Sequence, residues 1–447
     1  MKSIFKYISV FAILIIIFNI LLFLSSLFPS SLIEQNVKES AQKLYEEGNL
    51  YKFPQSCYIT NNNYTDALMI NEAYSINNKN PIYSYMAVRK NYKENQTKKE
   101  LRDQNGELIT INNGNICKED FYNTVGELKE FVEGKTEISV SYARYWHGYL
   151  PVLRTVLIFF NVVQIRYILL ILFIILLIYS CILIKKKLGL DISIIFAFSL
   201  ITQGYFYVSY SLESAPVFIV MMISSIILLK RIEKIKNFYL YIFIIAMITN
   251  FVDYLTVPLI TLAMPLYIYI LYIQENNKNI NTKYYIKVIL KAIIVWGIGY
   301  SATWFCKWLL YDIIYEQNLI KSAVLQVIYR SGGNAPYVKV QFPIILRSEI
   351  LENLCYIFMY ITIWASVFIC KDVIHVKLES SRKGKINIKN QLPILIISGI
   401  PIVWFIILAN HTTIHIRFTY RNMIIFLFGI LIYSNEALKL LCKKIKN

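Results

Sequence analysis

Four short stretches carry the residue types best suited to chemistry, and each lies at the edge of an apolar segment. In the first stretch, Tyr64-Thr65-Asp66-Ala67, an acidic residue opens an apolar helical turn. Thr and Asp both favour the N-cap position of a helix, so Asp66 is either a structural cap or a general base that accepts a proton. The residues alone leave both interpretations open.

The second stretch, Tyr145–Pro151, contains His147 and is followed by Arg154. A histidine among aromatic residues is usually a packed side chain without a chemical role. Here, however, Gly148 and Pro151 are expected to break an amphipathic helix directly beside the histidine and the arginine, which is less ordinary. His147 and Arg154 are therefore candidate substrate-binding residues.

The third stretch places Asp253 between two apolar runs, at the tip of a predicted helical hairpin. An acid in that position is commonly a hydrated turn residue. The alternative is a contact with a ligand at the mouth of a cavity, so Asp253 is also a candidate binding residue.

The fourth stretch contains two pairs of residues, His411 with His415 and Arg417 with Arg421. On a helix the members of each pair are one turn apart and share a face. Two histidines at this spacing can bind a metal, but the acid of an HExxH motif is missing, so we expect no metal site. Paired arginines suit a phosphate group, because guanidinium binds phosphate bidentately, although lipid headgroups would also account for them.

The elements that position these residues are long apolar runs. The chain has 447 residues, 56% of them hydrophobic and only 17% charged, and its mean hydropathy is +0.48. About 20 apolar residues cross a bilayer as a helix. The sequence therefore predicts an all-α polytopic membrane protein with about ten transmembrane helices, at residues 5–28, 167–184, 190–209, 213–230, 237–252, 256–273, 287–309, 352–370, 392–409 and 422–435.

The distribution of basic residues predicts the orientation of these spans. Lys and Arg cluster after the second, fourth, sixth, eighth and last spans, whereas the short loops after the third and fifth spans contain neither. Positive-inside bias places both termini in the cytoplasm. The domains are then the first helix (1–28), an extracytoplasmic domain (29–166), nine further helices with an outer loop at 310–351 (167–435), and a basic cytoplasmic tail (436–447).

The extracytoplasmic domain is predicted to be mixed α/β, with helices facing the membrane interface. A capping box at Ser31-x-x-Glu34 predicts a helix that ends at Gly48, and a second helix is expected over 118–133. Residues 88–116 are predicted to be loop-like. An amphipathic interface helix is expected over 142–166, interrupted near Pro151.

Several classes of protein fit the sequence poorly. The net charge of +18 could indicate nucleic-acid binding, but the basic residues form no stripe interleaved with aromatic residues, so no nucleic-acid partner is expected.

The first span follows Met1-Lys2 and is too long for a signal-peptide core, which favours a retained anchor. Of the seven cysteines, only Cys57 and Cys117 lie in the outer domain, where they either pair as a disulfide or remain free.

Acidic residues are missing from the middle of the apolar runs, where ion-coupled transporters usually place ionisable groups. Polar residues gather instead near the predicted outer ends, as Asp253 and Glu213 do. This distribution favours an enzyme or a binding protein that acts at the outer surface of the membrane.

The layout resembles the GT-C class of membrane glycosyltransferases, which use polyprenyl-phosphate sugars. Shared features are a cytoplasmic N-terminus, a large first outer loop with an early acid, interface helices before the second span, and an Arg-rich aromatic segment near the last span. Trp146 to Leu150 looks like the "PPLYY"-type stretch of such enzymes, and Ile416-Arg417-Phe418 looks like their late "RY" element. The paired Asp-Glu of many members is absent, because Ala67 follows Asp66.

This resemblance implies sugar transfer from a lipid-phosphate donor to a surface glycan or glycolipid at the outer face, with no required cofactor. Asp66 would accept the proton, Arg417, Arg421 and Arg154 would stabilise the leaving phosphate, and His147 would orient a substrate. The rival hypotheses are a non-enzymatic flippase or exporter of lipid-linked glycans and a surface receptor or assembly factor. The frequent Ile, Lys, Asn and Tyr, typical of A+T-rich codons, predict a bacterial plasma membrane.

Overall fold

A computed structural model describes residues 2–52, 60–92, 123–136, 138–276, 281–332, 336–369 and 391–446. Cys57, Cys117 and residues 93–116 of the predicted loop lie outside the described residues, so whether the two cysteines pair is not tested. Within these ranges the chain is almost entirely helical. The all-α class predicted from the apolar runs is thus confirmed.

The chain begins with one apolar helix, which is followed by a region of short elements. In chain order these are α1 (Lys2–Ser26), α2 (Glu34–Glu47), β1 (Leu50–Lys52), β2 (Thr60–Asn62), α3 (Asn63–Tyr74), α4 (Pro81–Met86), β3 (Arg89–Tyr92), α5 (Thr124–Val132), β4 (Ile138–Ser141) and α6 (Leu150–Leu157). Strand β1 pairs antiparallel with β2, and β3 pairs antiparallel with β4. Among the described residues, the β content predicted for the outer domain is limited to these two small sheets.

Helices, most of them longer than those of the outer domain, make up most of the remaining chain. They are α7 (Val162–Leu188), α8 (Leu190–Thr202), α9 (Ala215–Arg231), α10 (Phe238–Val252), α11 (Leu259–Asn276), α12 (Thr282–Tyr315), α13 (Leu319–Arg330), α14 (Pro336–Ile369), α15 (Leu392–Ile407), α16 (Ala409–Ile414), α17 (Ile416–Thr419) and α18 (Met423–Lys446). Helix α10 packs along α12, α9 along α11, and α15 along α18. Each predicted span overlaps one of these helices or α1.

The described part of the chain contains four segments long and apolar enough to cross a membrane, which are Ile4–Ser26, Val162–Leu188, Thr282–Tyr315 and Ile416–Lys439. Helices α8, α10 and α15 are apolar but shorter. Large apolar side chains point outward on the long segments. Examples are Phe5 in α1, which is 72% exposed, and Ile171 in α7, which is 60% exposed. Extended apolar surfaces of this kind are stable in lipid rather than in water. The protein is membrane-embedded, while the count of ten spans stays a prediction.

Segments that the charge rule assigned to one side of the membrane contact one another. Asp66 of α3 accepts a hydrogen bond from the amide of Leu212, in the turn before α9. His411 of α16 lies 2.8 Å from the carbonyl oxygen of Leu255, in the turn before α11. Arg330, at the end of α13, contacts His411 as well. We call this end of the helix assembly the polar end; which face of the membrane it occupies stays a prediction.

The local predictions for the outer domain are confirmed in part. Helix α2 ends at Gly48, whose φ of +76° is a conformation that glycine adopts without strain. The predicted capping box is wrong, because residues 30–32 form a 3₁₀ turn and Ile33 precedes α2 with no side-chain cap. The second predicted helix is shorter than expected, since α5 covers Thr124–Val132 within the described residues.

The structure corrects three predictions about where loops and helices lie. Residues 89–92 form β3, because their backbone pairs with a strand 46 or more residues away in sequence. Pro151 lies in the first turn of α6 and starts that helix rather than interrupting it. The predicted outer loop 310–351 is largely helical, since it contains the end of α12, all of α13 and the start of α14.

Candidate functional site

A fully buried carboxylate, that of Glu72 in α3, lies at the centre of the polar end. Its Oε2 accepts a hydrogen bond from the hydroxyl of Tyr149 at 2.5 Å and another from the hydroxyl of Tyr254. Nδ1 of His147 lies 3.3 Å from the same oxygen. The second oxygen, Oε1, has no hydrogen-bond partner among the described residues. These four residues are called the Glu72 cluster below.

The protonation of His147 follows from its neighbours. Nε2 lies 2.8 Å from the carbonyl oxygen of Tyr142, and because a carbonyl can only accept, Nε2 carries a hydrogen. Nδ1 faces the hydroxyl of Tyr254 at 3.0 Å, as well as Glu72. A neutral ring can accept from Tyr254 only when that hydroxyl does not donate to Glu72, whereas a protonated ring donates to the carboxylate directly. The cluster can therefore hold one additional proton between an acid and a base.

The two tyrosines of the cluster remain protonated donors. Burial, followed by the charge of Glu72, raises the pKa of both Tyr149 and Tyr254 well above the usual value of 10. Their hydroxyls are also 2.7 Å apart, so they contact each other as well as the acid. Both hydroxyls therefore act as hydrogen-bond donors to Glu72.

Unusual backbone geometry surrounds the cluster. His147 has φ +57° and Leu255, next to Tyr254, has φ +63°, values that residues with a Cβ rarely adopt. Gly148 approaches α10 so closely that an added Cβ would lie 2.4 Å from the carbonyl oxygen of Phe251. Strained residues of this kind persist where the surrounding structure imposes them, and they are frequent at functional sites.

An arginine and a histidine extend the cluster toward α16. Arg330 donates through Nη2 to the hydroxyl of Tyr145 at 3.2 Å and through Nη1 to Nδ1 of His411 at 2.6 Å. The ring of Tyr145 lies 5.0 Å from that of Tyr254. Glu72 and His147 thus come from the outer domain, Tyr254 from the turn before α11, and Arg330 and His411 from the end of α13 and from α16.

Asp253 lies buried at the end of α10 and holds a turn together. Its Oδ1 accepts from the amide of Thr256 at 2.8 Å and from its hydroxyl at 2.7 Å, while Oδ2 accepts from Tyr300 at 3.1 Å. Burial raises the pKa of Asp253 to about 6, although these hydrogen bonds lower it. The contacts resemble those of a turn residue and explain how Tyr254 is positioned.

Asp66 lies one and a half helical turns from Glu72 on α3, and it is also fully buried. Its Oδ1 accepts from the amide of Leu212 at 2.8 Å, and its Oδ2 lies 3.7 Å from Arg166. Arg166 contacts Glu47 more closely, at 2.8 Å. Burial raises the pKa of Asp66 to about 7, against the lowering effects of Arg166 and the amides. Asp66 therefore does not cap its own helix and instead joins α3 to the turn before α9.

Arg154 is enclosed by backbone acceptors. It donates to the carbonyl oxygens of Ser25 at 2.9 Å, Phe28 at 2.8 Å and Ala73, and to the hydroxyl of Ser30 at 3.3 Å. Burial lowers its pKa to about 10. These contacts favour a structural role, in which Arg154 fastens α6 to the end of α1 and to α3.

The remaining predicted residues lie in the segment 411–421, within α16 and directly after it. The rings of His411 and His415 are 4.8 Å apart, as the one-turn spacing predicted. Arg417 belongs to α17, and Arg421 lies in the 3₁₀ turn that follows, over the ring of Tyr420 at 5.0 Å. Within the described residues, no group of three or more His, Cys, Asp or Glu side chains could hold a metal ion.

Sequence reasoning missed Glu72, Tyr254 and Arg330 as site residues. Glu72 had a usable signal, because it lies in a helix whose neighbours from Ala67 to Ala73 are mostly apolar, and all of them are buried. Tyr254 and Arg330 carried no such signal, since their importance comes from contacts across more than 180 residues.

No family model, no curated protein and no solved structure matches this chain.

Proposed function

We propose that the protein is a membrane glycosyltransferase that moves a sugar from a polyprenyl-phosphate donor to a glycan or glycolipid acceptor. The carrying observation is a buried acid in contact with a histidine at the polar end of a membrane-embedded chain, connected to an arginine through the rings of Tyr254 and Tyr145. Glu72 and His147 supply a proton acceptor, and Arg330 supplies positive charge. We further propose that this end faces outward from a bacterial plasma membrane, with both termini cytoplasmic.

The reaction needs an acceptor for one proton. The hydroxyl of the acceptor attacks the anomeric carbon of the donor as the bond between that carbon and the phosphate oxygen breaks. The phosphate leaves with the bonding electrons, and the hydroxyl proton passes to Glu72. Oε1 of Glu72 has no partner among the described residues and is the atom to receive it. His147, whose Nδ1 lies 3.3 Å from Oε2, can share this proton with Glu72.

The leaving phosphate needs positive charge, because negative charge develops on it as the bond breaks. Arg330, Arg417 and Arg421 supply that charge in the proposal. Arg417 and Arg421 follow directly after α16, whose His411 already contacts Arg330. Arg154 is not included, since its donors are directed at the backbone.

Asp66 remains the alternative base. In its favour, burial brings its pKa to about 7, where a base operates well at neutral pH. Against it, its Oδ1 is bound to the backbone of the turn before α9 and its neighbours are Arg166 and Glu47 rather than the histidines. We therefore propose Glu72 as the base and a positioning role for Asp66.

Surface-glycan mass spectrometry on a deletion strain tests the function and the base together. The strain is complemented with the wild type, Glu72→Gln, Asp66→Asn or the matched control Glu46→Gln, an exposed acid on α2. Glutamine keeps an oxygen that accepts from both tyrosines, which favours folding, and membrane abundance of each variant is measured in parallel. We expect a sugar to disappear on deletion, to return with the wild type, Glu46→Gln and Asp66→Asn, and to fall about 10²–10⁴-fold with Glu72→Gln.

Each other outcome contradicts a stated part of the proposal. A glycan profile unchanged by deletion would refute the transferase and favour a receptor or assembly factor. Accumulation of a complete lipid-linked glycan on the inner side would refute it in favour of a flippase or exporter. Full activity of Glu72→Gln with loss in Asp66→Asn would keep the transferase and return the role of base to Asp66.

A further inference from the structure

A polar cleft of about 290 Å³ lies beside the Glu72 cluster. It is formed between residues 141–144 and the turn that joins α12 to α13. Its polar lining residues are Ser141, Tyr142, Arg144, Gln317, Asn318 and Ser322. The reaction described above uses none of them.

Two amide side chains in this cleft are oriented by bonds within the protein. Oε1 of Gln317 accepts a hydrogen bond from the hydroxyl of Tyr311 at 2.8 Å. Oδ1 of Asn318 accepts from the amide of Lys321 at 3.0 Å and so caps α13. Because both oxygens are engaged, each side chain presents its NH₂ group as a donor. Within the described residues these two NH₂ groups have no hydrogen-bond acceptor.

The turn that carries the two amides is built with strained geometry. Glu316, directly before Gln317, has φ +52°. Asp312 of α12 holds the turn closed, since its carboxylate accepts from the amides of Leu319 at 2.6 Å and Ile320 at 3.2 Å. A non-glycine residue held in this conformation costs about 1–3 kcal/mol, which the surrounding contacts must offset. The positions of Gln317 and Asn318 are therefore imposed by the fold.

Two residues, Tyr142 and His147, connect the cleft to the buried acid. Tyr142 lines the cleft, and its carbonyl oxygen accepts from Nε2 of His147, which faces Glu72 through its other nitrogen. The rings of Tyr142 and His147 lie 6.1 Å apart. The cleft is thus connected to Glu72 through the contacts of Tyr142 and His147.

We infer that this cleft binds a neutral saccharide, and that, given the proposed function, it holds the acceptor. Hydroxyl and amide groups dominate its polar lining, and saccharide hydroxyls can donate to and accept from such groups. Arg144 is the single charged side chain among the described lining residues, and no carboxylate is present there. A phosphate would require more positive charge, which the proposal places at Arg330, Arg417 and Arg421 instead.

Binding to the full-length protein in nanodiscs tests this inference without any transfer reaction. The probes are the methyl glycosides of glucose, galactose, mannose and N-acetylglucosamine, measured by saturation-transfer difference NMR, with inorganic phosphate as competitor. Asn318→Asp keeps the oxygen that caps α13 but removes the NH₂ donor. The matched control is Asn281→Asp, which makes the same change at the cap of α12. Ser322→Trp, an exposed position on α13, fills the cleft.

We expect at least one glycoside to bind the wild type and Asn281→Asp equally, to bind Asn318→Asp at least tenfold more weakly, and not to bind Ser322→Trp. The inference is overturned if no glycoside binds the wild type, if both cleft variants bind normally, or if phosphate displaces the glycoside at equal concentration. The surface glycans of the Ser322→Trp strain, measured by mass spectrometry, distinguish a failure of the proposed transferase function from a failure of the proposed saccharide cleft. Glycoside binding without any glycan change on deletion would refute only the transferase, whereas a glycan lost on deletion but normal with Ser322→Trp would refute only the cleft.

Discussion

Arg330 donates to Nδ1 of His411 at 2.6 Å, and the other ring nitrogen of His411 lies 2.8 Å from the carbonyl oxygen of Leu255. An arginine can only donate and a carbonyl can only accept, so His411 is the neutral tautomer with its hydrogen on Nε2. The ring of His411 therefore holds the guanidinium of Arg330 in a fixed position relative to the turn at Leu255. The same turn carries Tyr254, so this contact joins the cation to the Glu72 cluster.

The neutral state of His411 predicts a loss of stability in mild acid. Burial, then Arg330 and His415, hold its pKa well below 6.5 in the folded protein. In the unfolded chain the ring gains a proton below about 6.5, so its contribution to stability is complete above that pH and is lost as the pH falls. We expect this contribution to decrease between pH 7.5 and 5.5, whereas Asp66 and Asp253, whose pKa values burial raises to about 7 and about 6, change stability in the opposite direction over that range.

A variant isolates the contribution of this one residue. His411→Gln does not titrate, so the melting temperature of the wild type minus that of the variant should decrease as the pH falls from 7.5 to 5.5. Both proteins are measured in the same nanodiscs by differential scanning fluorimetry. Parallel pH profiles for the two proteins would show that His411 is not the responsible group.

Removing the two tyrosine hydroxyls that donate to Glu72 should change the free energy of unfolding in a non-additive way. Tyr149→Phe and Tyr254→Phe each delete a hydroxyl that donates to the buried carboxylate, at a cost of about 1.5–3 kcal/mol in the free energy of unfolding. Because both hydroxyls contact the same oxygen and each other, the double variant should differ from the sum by about 0.5–3 kcal/mol.

Denaturation in mixed micelles measures the four free energies of this cycle. Tyr167→Phe, which alters an exposed tyrosine on α7, is the control and should have no effect. Additive effects of the two buried substitutions would contradict a shared cluster.

Arg154 is expected to be structural. Arg154→Met leaves three carbonyl oxygens and one hydroxyl without their donor, so the free energy of unfolding should fall by at least about 3 kcal/mol. Arg231→Met, at the exposed end of α9, is the control. Size-exclusion chromatography of the detergent-solubilised proteins gives the folded fraction. A folded Arg154→Met that has lost sugar transfer would instead support a contact with the leaving phosphate.

Gly148 should tolerate no side chain. In Gly148→Ala the new Cβ would lie 2.4 Å from both the ring and the carbonyl oxygen of Phe251, so the segment carrying His147 must move away from α10. We expect a loss of about 1–3 kcal/mol in stability together with a loss of function. Gly297→Ala, where nothing lies within 4 Å of the added carbon, is the matched control and should be neutral or stabilising. Equal behaviour of the two variants in thermal unfolding would contradict the close approach.

Local patterns predicted local structure well where no distant contact intervenes. The apolar runs mark the helices, and Gly48 ends α2 as expected. Predictions failed where a partner far along the chain decides the conformation, as at β3, which pairs with β4. The helical content of 310–351 was missed because the whole segment was predicted as an outer loop, whereas Gln317 and Asn318 form only a short turn that begins α13.

For the candidate site, the sequence determined which segments are apolar and which carry the ionisable groups at their ends. It also placed Asp66, His147, Asp253 and His411 at the same predicted face. Only the tertiary structure decided that Glu72, six residues beyond Asp66, is the acid that meets His147, and that Arg330 meets His411. The physical reason is that burial and hydrogen bonding depend on the side chains that packing brings within about 3 Å, and here those partners lie 75 to 182 residues apart.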